Sequence, residues 1–150
     1  MSQSLLKFLE DREGFCAAPC NDPAEPHNAT IGFGHELHSG PVTQADLERW
    51  GTISRFEGVQ MLRSDLSKFE DEVNRDVRVP LTQNQFDALV SLTFNIGGTH
   101  LRHSTLLQLL NTGDYEGAAK HFTDLTRSGR AHPPGLPRRH EEERELFEQR

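Results

Sequence analysis

Between residues 54 and 98 two capping patterns each open onto an apolar stripe of helical period, and this pair constrains the fold more than any other feature. Ser54-x-x-Glu57 precedes Val59, Leu62, Leu66, Phe69 and Val73, which share one helix face. Thr82-x-x-Gln85, after Pro80, precedes Phe86, Leu89, Val90, Thr93 and Phe94, with Gly97-Gly98 as the stop. The first predicts a long helix over about 54–75 and the second a central, buried one. Leu5, Leu6, Phe8 and Leu9 predict a further helix, capped by Ser2 or Ser4 and ending near Glu13. Ser104 opens another, and Asn111-Thr112-Gly113-Asp114 closes it and caps the next, whose inward set is Ala118, Ala119 and Phe122. A Gly- and Pro-containing linker over 129–137 leads to a last helix ending near Phe147.

Residues 16–40 have a different character. Pro19, Pro23, Pro26, Gly32, Gly34 and Gly40 exclude a helix, and the alternation around Ile31 and Phe33 predicts a small β-hairpin in a loop. The expected class is therefore α+β, mainly α, in one domain of 150 residues. A mean hydropathy of -0.66 and the lack of any long apolar run predict no stable membrane insertion. The N-terminal residues show no basic region followed by an apolar block, so a cytoplasmically made chain without a signal peptide is expected.

The net charge of -7 argues against a nucleic-acid partner. It is unevenly spread, however. Residues 127–140 carry Arg127, Arg130, Arg138 and Arg139 without an acid, residues 141–150 sum to -3, and residues 1–126 hold -8. Cys16 and Cys20 are too few for a secreted disulfide framework and are expected as free thiols. The eight histidines lack metal-ligand spacing, so neither a metal nor another cofactor is expected, and His35 is read as a structural hydrogen-bonding residue.

Chemistry concentrates around the turn-rich segment. Glu13 at a helix end and Asp22 in the following loop can converge while keeping different surroundings, and Thr30 with Gly32 and Gly34 lies just beyond. Two carboxylates in unlike environments suit cleavage of a glycosidic bond, where one protonates the leaving oxygen and the other steadies the transition state or directs water. Phe8, Phe15 and Phe33 are available as an apolar wall beside Glu13. Taken alone, a surface Glu and an Asx-turn Asp before Pro23 explain the pair equally well.

The rest of the chain decides between these readings, because it resembles the phage-type lysozymes and endolysins (glycoside hydrolase family 24) nearly end to end. The resemblance is carried by Glu13-Gly14-Phe15, Asn21-Asp22-Pro23, Thr30-Ile31-Gly32-Phe33-Gly34-His35, Leu81 to Leu89, Phe94-Asn95-Ile96-Gly97, Ser104 to Leu107, Gly113-Asp114-Tyr115 and Gly135 to Arg139, in matching order. It implies a lysozyme-like fold, with a small hairpin lobe over about 14–55 and a helical lobe over about 1–13 and 76–150, joined by the long helix and enclosing a cleft.

It further implies a monomeric muramidase that cuts the β-1,4 bond between N-acetylmuramic acid and N-acetylglucosamine in the glycan strands of peptidoglycan. Glu13 would be the general acid, Asp22 the second carboxylate and Thr30 the holder of the attacking water, while Phe94, Asn95, Gly32 and Arg139 would contact or support the substrate. Inversion at the anomeric carbon is the expected stereochemistry, with carboxyls roughly 6.5–9.5 Å apart. The Asp22–Thr30 segment is longer than in shorter family members, which makes Glu25 a rival for the second carboxylate. Some related endolysins are controlled through cysteines near this glutamate, but the membrane-tether segment that accompanies such control is not seen here, so unpaired thiols remain the expectation. The competing class is a noncatalytic wall-binding or structural module that keeps the fold.

Overall fold

The computed structural model of the chain describes residues 2–23, 27–124 and 136–149, the last segment by its backbone alone at 136–138. The described elements are α1 (Gln3–Glu13), β1 (Cys16–Asn21), β2 (Ala29–Gly32), β3 (His35–His38), α2 (Gln44–Trp50), α3 (Arg55–Asp76), α4 (Gln83–Ile96), α5 (Gly98–Arg102), α6 (Thr105–Asn111), α7 (Tyr115–Lys120) and α8 (Leu136–Glu148). The mainly helical α+β class holds. The expected hairpin is enlarged to a three-stranded antiparallel sheet in the order β1-β2-β3.

The chain divides into two compact units, one spanning Leu6–Asp65 and the other made of the residues up to Leu5 and from Leu66 onward. In the Leu6–Asp65 unit, Leu6, Leu9, Ala29, Ile31, Phe33 and Leu62 are buried. The strand β2 is buried along its whole length, as the middle strand of the sheet should be. Gly32 has φ +65, and its Cβ position, if filled, would lie 3.4 Å from the Gly58 Cα and 3.5 Å from the Ile53 Cδ1. Helix α2 starts with a full capping box, Thr43 accepting from the Asp46 amide and Asp46 accepting from the Thr43 amide.

In the second unit α4 is the central element, buried from Asp87 through Thr93 and again at Ile96. Its Thr82–Gln85 capping box forms as the sequence predicts, and Gly97 closes it at φ +91. Ser104 caps α6 through the Leu107 amide, and Asp114 caps α7 through the Gly117 amide. Ser2 accepts from the Leu5 amide at 3.1 Å and also bonds to Asp87, tying the start of α1 to α4. Pro137 falls in the first turn of α8, where its missing N–H costs no helical bond, so only residues 129–135 remain of the expected linker and these lie outside the described residues.

The expectation of free thiols is corrected by the structure: Cys16 and Cys20 form a disulfide across a Cα separation of 6.3 Å. The physical reason is an irregularity of β1 between the two residues, which folds the intervening backbone and brings their side chains together. Among the described residues no helix is long and apolar enough to cross a membrane.

Candidate active site

Glu13 is the last residue of α1, and Gly14 turns the chain at φ +70, a conformation that side chains rarely tolerate. The glutamate is half-buried, and its carboxylate lies against the turn between β2 and β3. A Cβ on Gly34, which has φ +75, would meet Glu13 Oε2 at 3.3 Å. Glycine at residue 34 is favoured by its conformation, and a Cβ there would push the Glu13 carboxylate back by a few tenths of an ångström. The rings of Phe15 and Phe33, which follow Gly14 and precede Gly34, pack with centroids 5.1 Å apart. The Arg55 guanidinium lies 5.8 Å and 5.1 Å from these two rings and 3.3 Å from Glu10. Next to Gly34, His35 Nδ1 meets both oxygens of Asp65 at 3.0 and 2.9 Å, fastening the start of β3 to α3.

Thr30 is on β2, opposite Cys20 of β1, and is buried to 6% exposure. Its hydroxyl donates to the Cys20 carbonyl at 3.3 Å and lies 3.6 Å from Cys20 Sγ. Asp22 follows the end of β1 and is half-buried. Its amide donates to the Asn28 carbonyl at 2.8 Å, and its own carbonyl is 2.9 Å from His27 Nδ1. The long Asp22–Thr30 segment is therefore closed at its base by two bonds that hold the Asp22 backbone. His27 takes φ +59 to make this closure. Glu25, the rival carboxylate, lies outside the described residues.

The remaining candidates belong to the second unit. Phe94 packs edge-to-face on Phe69 at 5.6 Å, and the Arg139 guanidinium is 6.0 Å from the Phe94 ring. Asn95 Oδ1 is 3.2 Å from His140 Nε2. Arg139 is 8% exposed, with Nε 3.1 Å from Oε1 of a fully buried Glu143 that also accepts from Ser91 at 2.6 Å. The arginine thus sits within a buried polar network between α4 and α8, and Gly32 is likewise buried in packing rather than at an open surface. Phe94 and Asn95 are half-buried, on the last turns of α4.

Beside the sheet, His38 Nε2 meets Asp46 Oδ2 at 2.7 Å. The Ser39 carbonyl and the Asp46 carboxylate hold the His38 imidazole above its usual range, and the Thr43 amide and His38 hold the Asp46 carboxyl below its own. Among the described residues no group of three His, Cys, Asp or Glu side chains is arranged to hold a metal ion.

Three arrangements escape the sequence reading. The disulfide needed the β1 irregularity to be known, and the Ser91–Glu143 bond joins residues 52 apart. Helix α2 was signalled by Thr43-x-x-Asp46 before Leu47, a pattern weaker than its Glu/Gln form.

Comparisons with known proteins agree with this architecture. The phage lysozyme family model matches residues 10–143. The endolysin of Salmonella phage P22 is 42% identical over 118 residues, covering 79% of this chain and 78% of that protein. The endolysin of Bacillus phage B103 is 35% identical over 147 residues, covering 98% of this chain, which spans about half (53%) of that relative's length. Among solved structures, the muramidase domain of SpmX from Asticaccaulis excentricus superposes with a TM-score of 0.80 at 28% identity, covering 99% of this chain and 97% of that one. The chain belongs to the phage lysozyme family.

Proposed function

We propose that the chain hydrolyses the β-1,4 bond between N-acetylmuramic acid and N-acetylglucosamine of bacterial peptidoglycan, acting as a monomeric endolysin or antibacterial effector on the cell wall. The observation that carries this reading is the seating of the Glu13 carboxylate against Gly34, in a family member whose adjoining strands bear Thr30 and lead into Asp22.

Glu13 donates its proton to the glycosidic oxygen as the C–O bond breaks. Water held by Thr30 then adds to the anomeric carbon from the opposite face and gives up its proton to Asp22. Inversion follows from that geometry. Gly34 contributes by its lack of a side chain, since any Cβ would press on the acid. Phe94 and Asn95 supply apolar and amide contacts to an N-acetylated sugar, and Arg139 supports that face through its bond to Glu143, which in turn accepts from Ser91 of α4. No cofactor enters the reaction. The names of the phage relatives, endolysins, and of the solved muramidase domain support a wall-directed activity.

The test is product analysis of purified peptidoglycan after digestion. Release of new N-acetylmuramic reducing ends is expected, with α-anomers formed first. Binding to walls without release would instead identify a noncatalytic module, and 1,6-anhydro ends would show that the bond is cleaved without water.

A further inference from the structure

The first two strands pair over unequal lengths. Cys16 faces Gly32 and Cys20 faces Thr30, so β1 advances four residues where β2 advances two. At about 3.3 Å per residue, fully extended strands would span about 13 Å on one side and about 7 Å on the other. The Cys16–Cys20 Cα distance is 6.3 Å, which matches the shorter side. Residues 17–19 take up the excess as a bulge, with Ala17 accepting from the Ile53 amide at 2.8 Å, and the disulfide is the chord across its base. A bulge lacking that chord is free to exchange residues with the ladder. A one-residue slip would carry the Cys20 carbonyl about 3.3 Å along the strand and turn the paired side chains to opposite faces.

What the chord holds is the partner of Thr30. The Thr30 hydroxyl has two neighbours on β1, the Cys20 carbonyl at 3.3 Å and Cys20 Sγ at 3.6 Å. A disulfide sulfur carries no hydrogen, so both neighbours only accept. The hydroxyl proton is thereby committed to β1, and the oxygen offers lone pairs to anything else that meets it. A thiol at Cys20 would add a weak donor and end that one-sidedness.

We propose that the Cys16–Cys20 disulfide positions Thr30, fixing the Cys20 carbonyl as acceptor of its hydroxyl proton, so that Thr30 receives a hydrogen bond from the attacking water. The proposal rests on the hydrolytic reading above for its water. Cys20 is a positioning residue, acting through Thr30 without touching substrate. A water that donates one proton to Thr30 and the other to a carboxylate points its lone pair at the anomeric carbon, as the inverting reaction requires.

Two readouts test this. The first needs no activity: the Thr30 χ1 rotamer, from three-bond couplings to its Cγ2, in the oxidised protein and in Cys16→Ala/Cys20→Ala. Reduction of the native protein by dithiothreitol is a second perturbation, in which the reagent becomes its cyclic disulfide and each cysteine gains a proton and an electron. One rotamer is expected in the oxidised protein and averaging in the other two. The same single rotamer in all three overturns the proposal.

The second readout is turnover on soluble peptidoglycan. Opening the disulfide is expected to lower kcat about tenfold with KM unchanged, as loss of orientation does, and to cost less than about twofold in a Thr30→Val background. An equal loss in both backgrounds would assign the disulfide to general stability and overturn the positioning role. A locked rotamer in an oxidised protein that leaves peptidoglycan intact would refute the hydrolytic reading and, with it, the water-directing part of the proposal.

Discussion

Replacing Ser91 by alanine tests whether a buried carboxylate anchors α8 to α4. Ser91 and Glu143 are both fully buried, and the hydroxyl donates to Glu143 Oε1 at 2.6 Å. A hydrogen bond to a charged group contributes about 1.5–3 kcal/mol. Alanine returns about 0.5 kcal/mol through its higher helix propensity, which leaves a net loss of about 1–2.5 kcal/mol. For a chain of this size each kcal/mol moves the melting temperature by about 2–4 °C, so a drop of about 2–10 °C is expected. Thermal unfolding followed by far-UV circular dichroism measures it. A double-mutant cycle with Glu143→Ala, which removes the acceptor, should return a coupling of about 1–2 kcal/mol. Well below the transition, activity should stay within about threefold of native, since Ser91 lies outside the proposed chemistry. An unchanged melting temperature, or a cycle that is additive within about 0.5 kcal/mol, would refute the reasoning.

Three further outcomes follow from local geometry. Thr82→Ala removes the α4 cap and should cost about 1 kcal/mol, or about 2–4 °C in the same melt, with Gln85→Ala adding little once Thr82 is gone. The His38–Asp46 clasp should depend on pH from both sides. Stabilisation from the raised His38 is complete below its unfolded value near 6.5 and is lost as pH rises through its folded value. That from the lowered Asp46 is complete above about 3.8 and is lost as pH falls through its folded value. Amide-exchange protection in α2, corrected for the intrinsic pH dependence of exchange, should therefore be greatest between those limits, and Asp46→Asn should flatten the profile. Gly34→Ala puts a Cβ at φ +75 and 3.3 Å from Glu13 Oε2. It should cost more than about 1 kcal/mol and lower kcat by at least about tenfold, measured on soluble peptidoglycan.

The helical part of the fold was legible because its signals are local. Thr82 and Gln85 lie within one turn of the bond they make, and Ser104 and Asp114 likewise cap the next residues in line. β1 was not legible, since Cys-Ala-Ala-Pro-Cys-Asn has neither strand propensity nor alternation and is held by pairing with β2 and by the disulfide. Glu13 at a helix end and Thr30 beside a glycine turn were readable as positions. Their environments were not, because the contact of Glu13 with Gly34 and of Thr30 with Cys20 arises only when the sheet forms. The burial of Arg139 with Glu143 and Ser91 is not legible locally, because it depends on a residue 52 positions from the serine. The closure of the Asp22 loop by Asn28 and His27 belongs to the same class of nonperiodic contact.

The most direct test of the central claim is the rate of new reducing-end formation from purified peptidoglycan by Glu13→Gln beside the native protein. Glutamine keeps the shape at the end of α1 but has no proton to give the leaving oxygen. With native circular dichroism and melting temperature, the variant should release reducing ends at no more than about 1% of the native rate, as loss of general acid catalysis predicts. A folded Glu13→Gln protein that cleaves at a comparable rate would contradict the account.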